Sequence, residues 1–297
     1  MHILAFRDVF HSRVKSQLVL EESFVDFLLA AYWTREHLLF EGPPGTGKTS
    51  LAETLGQMLG DYGRIQMTPE TLPSDILGME ILKDREAMKF EFRQGPIFHS
   101  LLIVDEINRA TPRTQSALLQ AMQEGKVQVG DGEKYLPEDF LVIATLNPTQ
   151  MDGTFILPDS QLDRFGLCLK FNQLSGELFL KALLFNPSDV DDSQVEVCPK
   201  YQADEIPSEW LRVCSAIQDQ LEQDQANASS VRPLGIRVYK TWLKLGYALS
   251  RIRGHDHLST KCLRELLGPV FIHRFGPFLE EDYLSRLLKV FDRQTGA

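Results

Sequence analysis

Residues 37–60 read HLLFEGPPGTGKTSLAETLGQMLG, and the reading of this stretch decides the fold. A short apolar run meets Gly42-Pro-Pro-Gly-Thr-Gly-Lys-Thr49, which has the spacing G-x-x-x-x-G-K-[ST]. Apolar residues at helical spacing then continue to Gly60, a helix stop. Strand, glycine-rich loop and helix in that order make a phosphate cradle. The glycines let backbone N–H groups turn inward, and the helix N-terminus adds a positive dipole. The loop Gly42, Pro43, Pro44, Gly45, Thr46, Gly47, Lys48 and Thr49, with Ser50 after it, is therefore the expected nucleotide-binding set. In it Lys48 reaches the β and γ phosphates of ATP, and Thr49 offers its hydroxyl to Mg2+.

Downstream, the pattern of strand and helix repeats. LLIVDE (101–106) is a continuous apolar run ending in two acids, the look of a buried parallel strand. Its C-terminal end falls where ligands bind in open α/β folds. Asp105 is expected to hold Mg2+ with Thr49, and Glu106 to orient or deprotonate a water aimed at the γ-phosphate. TPRTQSALLQAMQEG (111–125) is a helix capped by Thr111, with Pro112 in its first turn and Gly125 at its end. KVQVGDGEKYLP (126–137) reads as a hairpin, and the segment around Lys83 to Arg93 as another. LVIATLN (141–147) is a further buried strand whose terminal Asn147 could hold the attacking water or sense the γ-phosphate. LPDSQLDRF (157–165) carries Arg164, either a surface partner of Asp163 or an arginine finger that stabilises charge on a transferring phosphate.

This alternation predicts an α/β fold with a mainly parallel sheet through about residue 170. Beyond it the strand signal fades. Residues 187–208 are acidic and proline-bearing and read as a linker, and helical patterns fill the rest, among them IRVYKTWLKLGYALSRIRG (236–254) and STKCLRELLGPVFIHRF (259–275). The expected division is a nucleotide-binding core over 1–185 and a linker with an all-α lid domain over 186–297.

Composition bounds the rest. Among 297 residues 43% are apolar and 24% charged, ordinary for a globular chain with a core. The net charge of −10 argues against broad nucleic-acid binding. No apolar run is long enough to span a membrane and the first residues do not read as a signal peptide, so the cytoplasm is the expected compartment. Four cysteines lie far apart, without metal-ligand spacing. Trp33, Trp210 and Trp242 fall on helical stretches and are expected in the core.

Taken together, GPPGTGKT, QMTPETLPSDILG, GPIF, LLIVDEINRATPRTQSALLQAMQEGKVQVG, ATLNP and GTFILPDSQLDRF resemble the MoxR family of AAA+ ATPases over about residues 37–170. The resemblance implies an AAA+ core with a helical lid, an insert in helix 2 at about 72–95, and KVQVGDGEKYL as the hairpin before the first sensor strand. It implies a homo-oligomer, commonly a hexameric ring, with ATP held between neighbours. Arg164 would then act on the adjacent subunit's ATP, Asn147 would be sensor 1, and Arg237 the lid arginine called sensor 2, contacting the γ-phosphate of its own subunit, with Arg232 as its competitor. The expected activity is ATP hydrolysis that remodels or helps mature a partner complex, one with a von Willebrand factor A domain protein. The ATPase subunit of a metal chelatase and an ATP-controlled assembly adaptor are the alternatives. The chain departs from the family pattern before the first strand, where HSRVKSQLVL replaces the Gly-Gln motif of the adenine pocket. It departs again at Gly125, where relatives carry arginine, and at Leu234-Gly235-Ile236, where they carry S-P-R.

Overall fold

The computed structural model describes residues 3–84, 88–130, 132–147, 153–171, 207–227, 234–275 and 280–296. The expected division at 185/186, Arg232, and all but the last two residues of the linker lie outside them. Strands numbered along the chain as β1 (Leu38–Glu41), β2 (Tyr62–Gln66), β5 (Leu101–Asp105), β8 (Leu141–Leu146) and β9 (Leu167–Lys170) form one sheet in the order β2-β5-β8-β1-β9. Every pairing in it is parallel. Two antiparallel hairpins stand apart from it, β3 (Gly78–Asp84) with β4 (Lys89–Gln94), and β6 (Lys126–Val129) with β7 (Gly132–Tyr135). These are the two segments that read as hairpins in the sequence.

The sheet is buried on both faces, which is why its strands are apolar at consecutive positions. Alternate residues divide cleanly. Leu38, Phe40, Leu101, Ile103, Ile143 and Leu167 point to one core, whereas Leu39, Leu102, Val104, Val142 and Cys168 point to the other. The second core is closed by α5 (Pro112–Glu124) through Leu118, Leu119 and Met122. The first is covered by α3 (Lys48–Leu59) through Leu51, Leu55 and Met58 and by helices from both ends of the chain. From the N-terminal end come α1 (Ile3–Gln17) and α2 (Glu22–Thr34). From the C-terminal end come α7 (Ser208–Asn227), α8 (Ile236–Ile252), α9 (Thr260–Phe271) and α10 (Glu280–Thr295). Two short helices, α4 (Pro73–Leu77) and α6 (Asp159–Leu162), complete the order.

The helix α1 was not read as an element from the sequence, although Ile3, Phe6, Phe10 and Val14 recur at helical spacing and are buried. Helix α2 packs along α8, so the N-terminal residues join the C-terminal helices in one continuous core. Trp242 and Trp210 are inside it and Trp33 packs against it. Among the described residues, no helix is long and apolar enough to cross a membrane.

Candidate functional site

The loop after β1 turns into α3 through glycine. Gly45 and Gly47 have φ of 80° and 85°, a left-handed backbone that favours glycine. Gly47 is the N-cap of α3 and makes no side-chain cap bond, so the first-turn N–H groups of the helix stay available to an anion. At Gly42 a Cβ would lie 2.2 Å from the Phe171 carbonyl oxygen, so only glycine lets β9's end approach the loop. Lys48 folds across the loop, its Nζ donating to the Gly42 and Pro43 carbonyls, each at 2.6 Å. Burial lowers the pKa of its amine from the ordinary lysine value, and the charges of Glu106 and Asp105 act the other way.

The ends of β2, β5 and β8 supply the opposite wall. Thr49 donates its hydroxyl to Asp105 Oδ1 at 2.7 Å, and Arg64 Nε donates to Asp105 Oδ2 at 2.8 Å. Glu106 follows at φ 55°, ψ 53°, a left-handed backbone rare for a residue with a Cβ. Its backbone N–H is taken by Thr145 Oγ1 at 2.8 Å. Its carboxylate accepts from Asn147 Nδ2 at 2.6 Å, from Gln66 Nε2 at 2.9 Å and from Arg109 at 2.9 Å. Asn147 is fixed in turn, since Asn108 Nδ2 donates to its carbonyl at 3.0 Å. Lys48, Thr49, Asp105, Glu106 and Asn147 thus converge on one cavity of about 210 Å³. Hydroxyl and carboxylate oxygens within hydrogen-bond reach of one another suit a hard divalent cation such as Mg2+. Bare helix N–H groups and a lysine suit the phosphates of ATP. The residues present fit both.

Gly42 and Pro43 line a neighbouring cavity instead, and the two expected arginines stay out of this one. Arg164 follows α6, where its Nε reaches only Ser160 O at 3.5 Å and its Nη1 is buried with no partner among the described residues. The surface pair considered for it does not form, because Asp163 is bonded to Arg274 instead, at 3.0 Å. Arg237 is exposed on the first turn of α8 and does not line the phosphate cavity. Its charge bears on His37, which precedes β1 at the end of the strand away from the phosphate loop. Arg109 pairs with Glu106.

Arg64, Gln66 and Thr145 were missed in the sequence. Gln66 is in register with Asp105 across β2 and β5, which is what brings its amide to Glu106. GRIQMT (63–68) has the look of a short strand, but its place beside β5 is a matter of sheet order. A larger cavity of about 840 Å³ opens on the β9 side of the loop, lined by Gly42 and Pro43 together with Phe24, Phe171, Ile272 and His273. Phe24 stacks on Phe171 at 5.0 Å between ring centroids, giving that cavity an aromatic wall.

A five-stranded parallel sheet with this loop at the end of β1 and an acid pair at the end of β5, one strand removed, defines a P-loop nucleotide-binding fold. Residues 37–167 match the ATPase family associated with various cellular activities (AAA). The crystal structure of a candidate ATPase from Cytophaga hutchinsonii superposes on 98% of this chain and 96% of its own, with a TM-score of 0.77 at 26% identity. The class is therefore that of the AAA+ ATPases, an α/β core followed by a helical C-terminal region. Protein MoxR of Paracoccus denitrificans is 30% identical over 294 residues, covering 88% of this chain and 85% of that protein. Chaperone MoxR1 of Mycobacterium tuberculosis is 40% identical over 153 residues, 51% of this chain. That match spans only 40% of MoxR1's own length. The chain belongs to the MoxR family of AAA+ ATPases.

Proposed function

We propose that the protein hydrolyses ATP in a homo-oligomeric ring, a hexamer, and uses the energy to remodel or help mature a partner protein complex. One observation carries the hydrolytic half of this reading: Glu106 stands at the mouth of the cavity that holds Lys48, Thr49 and Asp105, oriented by Asn147. Binding ATP alone requires no such carboxylate. Lys48 exchanges its two loop carbonyls for phosphate oxygens, and the N–H groups of the loop and α3 orient the same phosphates. Thr49 and Asp105 would hold the Mg2+. Bound there, the ion supplies Lewis-acid polarisation of a phosphoryl oxygen. Glu106 accepts the proton of the attacking water while Asn147 fixes that water's position.

Arg164 supports the ring. It lies outside its own cavity, and its Nη1 finds no partner among the described residues, so swung out from its own chain it would serve as a finger on the ATP of the adjacent copy. Arg237 is the lid arginine we propose for the γ-phosphate of its own subunit, although it is exposed and does not line that cavity in the single chain. A von Willebrand factor A domain protein is the partner we propose, on family resemblance. The exposed apolar residues Met79, Ile81 and Phe90 of the β3–β4 hairpin and Tyr135 of β7 give a partner surface to engage. The compartment we propose is the cytoplasm, where ATP is supplied.

The test is ATP turnover per subunit measured against protein concentration, for the wild type, Glu106→Gln and Arg164→Ala. A ring with shared sites gives turnover that climbs with concentration and is lost in both variants. Turnover flat with concentration and indifferent to Arg164 would overturn the shared site and leave a monomeric switch.

A further inference from the structure

The turn Ile272–Arg274, which ends α9, touches two places at once. On one side Ile272 and His273 line the 840 Å³ cavity beside Gly42 and Pro43 of the phosphate loop. On the other, the Arg274 side chain, 4% exposed, commits all of its nitrogens. Its Nε donates to Asp163 Oδ1 at 3.0 Å, its Nη2 to the Phe165 carbonyl at 2.9 Å, and its Nη1 to the Val270 carbonyl of its own helix. The His273 Nε2 lies 3.3 Å from the same Phe165 oxygen. Arg164 is the residue between the two that are gripped. Its backbone N–H is held by Gln161 O at 3.1 Å, while Phe165 behind it is wholly buried. The Arg164 side chain between them is half-buried, its Nη1 covered and without a partner among the described residues, so to reach a neighbour it has to swing out.

An ion pair whose carboxylate is largely exposed to water adds little stability. A planar guanidinium fork does fix the direction of whatever it holds. The contact therefore suits a role in aiming better than a role in cohesion. We infer that Arg274 and Asp163 are positioning residues for Arg164, so that the turn lining one subunit's cavity sets the reach of the arginine this subunit extends to its neighbour's ATP. The inference rests on the shared site proposed above. It makes the C-terminal helices a link between successive sites around the ring: what fills one cavity presses on Ile272 and His273, and the next residue aims the finger.

The test uses mixed rings of the full chain. Asp163 is the residue to change first, because its side chain is 56% exposed, and a circular-dichroism melt beside the wild type checks that the variant is folded. Asp163→Ala is expected to keep its affinity for a fluorescent ATP analogue and to lose about 10²-fold in kcat, the cost of a small misplacement of a catalytic group. Arg164→Ala is expected to lose about 10³-fold or more. Each variant is then mixed with an equal amount of Glu106→Gln, whose own site is dead and whose finger is intact. Random assembly places an intact finger beside an intact site at about a quarter of the interfaces, so turnover should recover to about that fraction of wild type. Arg274→Lys, which keeps the charge and loses the fork, should behave as Asp163→Ala does. Full turnover by Asp163→Ala alone would overturn the inference. So would a loss that Glu106→Gln fails to restore while it does restore Arg164→Ala, since the contact would then act within its own subunit. If Arg164→Ala is not restored either, the shared site itself fails and the inference falls with it.

Discussion

Glu106 is held in an uncommon way for a half-buried acid. Its left-handed backbone costs on the order of 1–3 kcal/mol in a residue with a Cβ, and it persists where the surroundings fix it. Here they do, through Thr145 on the backbone and Asn147, Gln66 and Arg109 on the carboxylate. Glu106→Gln should keep nucleotide affinity and lose about 10²–10⁴-fold in turnover, as expected for a general base. Steady-state phosphate release beside a nucleotide titration separates the two, and a wild-type rate in the variant would remove Glu106 from the chemistry. Lys48→Ala should fail at the earlier step, with nucleotide affinity down by about tenfold or more for a lost charge-assisted contact. At this scale the sequence was informative wherever chemistry sits at fixed spacing from a strand end: Lys48, Thr49, Asp105, Glu106 and Asn147 were all legible. Gln66 and Arg64 were not, since their value comes from β2 lying beside β5. Arg274 was beyond reach for a different reason, its bond to Asp163 joining positions 111 residues apart.

Elements were legible where a local signal ends them. Helix α5 begins at Thr111, whose hydroxyl accepts from Thr114 N, and stops at Gly125 with φ 65°. Helix α3 stops at Gly60 in the same left-handed way. The β3–β4 hairpin was expected, but the way it is seated was not. At its base Gly78 and Gly95 meet so closely that a Cβ on Gly95 would lie 2.2 Å from the Ile76 carbonyl oxygen and 2.5 Å from the Gly78 nitrogen. Backbone presses on backbone there, and no side chain can yield. Gly95→Ala should destabilise the protein by about 1–3 kcal/mol through overpacking. Urea unfolding beside the wild type measures this, and an unchanged midpoint would mean the hairpin base reseats freely. Sequence pattern gives the strands of such a hairpin and not its seat, because closeness of approach leaves no periodic trace.

Across the whole molecule, a buried carboxylate ties the chain's two ends together. Asp26 in α2 accepts from Arg7 at 2.7 Å and Arg253 at 2.9 Å, and its Oδ1 lies 2.8 Å from His11 Nε2. Arg253 also reaches Glu265 in α9 at 2.7 Å. Burial alone would raise the Asp26 pKa, but the bonds from His11, Arg7 and Arg253 outweigh it and hold it well below the ordinary carboxylate range. A lowered folded pKa contributes stability above the unfolded value, near pH 4, that is lost as pH falls through the folded one. Asp26→Asn should therefore cost about 3–5 kcal/mol at neutral pH by stranding its cations. The gap in Tm between variant and wild type should narrow below about pH 4, and a gap that stays constant in acid would show that the ion network is not its source.

The continuous core beneath the sheet also bears on what can be cut away. The family is recognised from residues 37–167, yet one face of that sheet is covered by helices lying before and after this stretch. Excised at its own borders, the recognisable segment would turn Leu38, Phe40, Ile143 and Leu167 out to water. Such a fragment would carry every residue of the phosphate site and still aggregate rather than bind. The part of the chain that identifies it is thus not a portable part, and the less distinctive ends are what let it exist in solution.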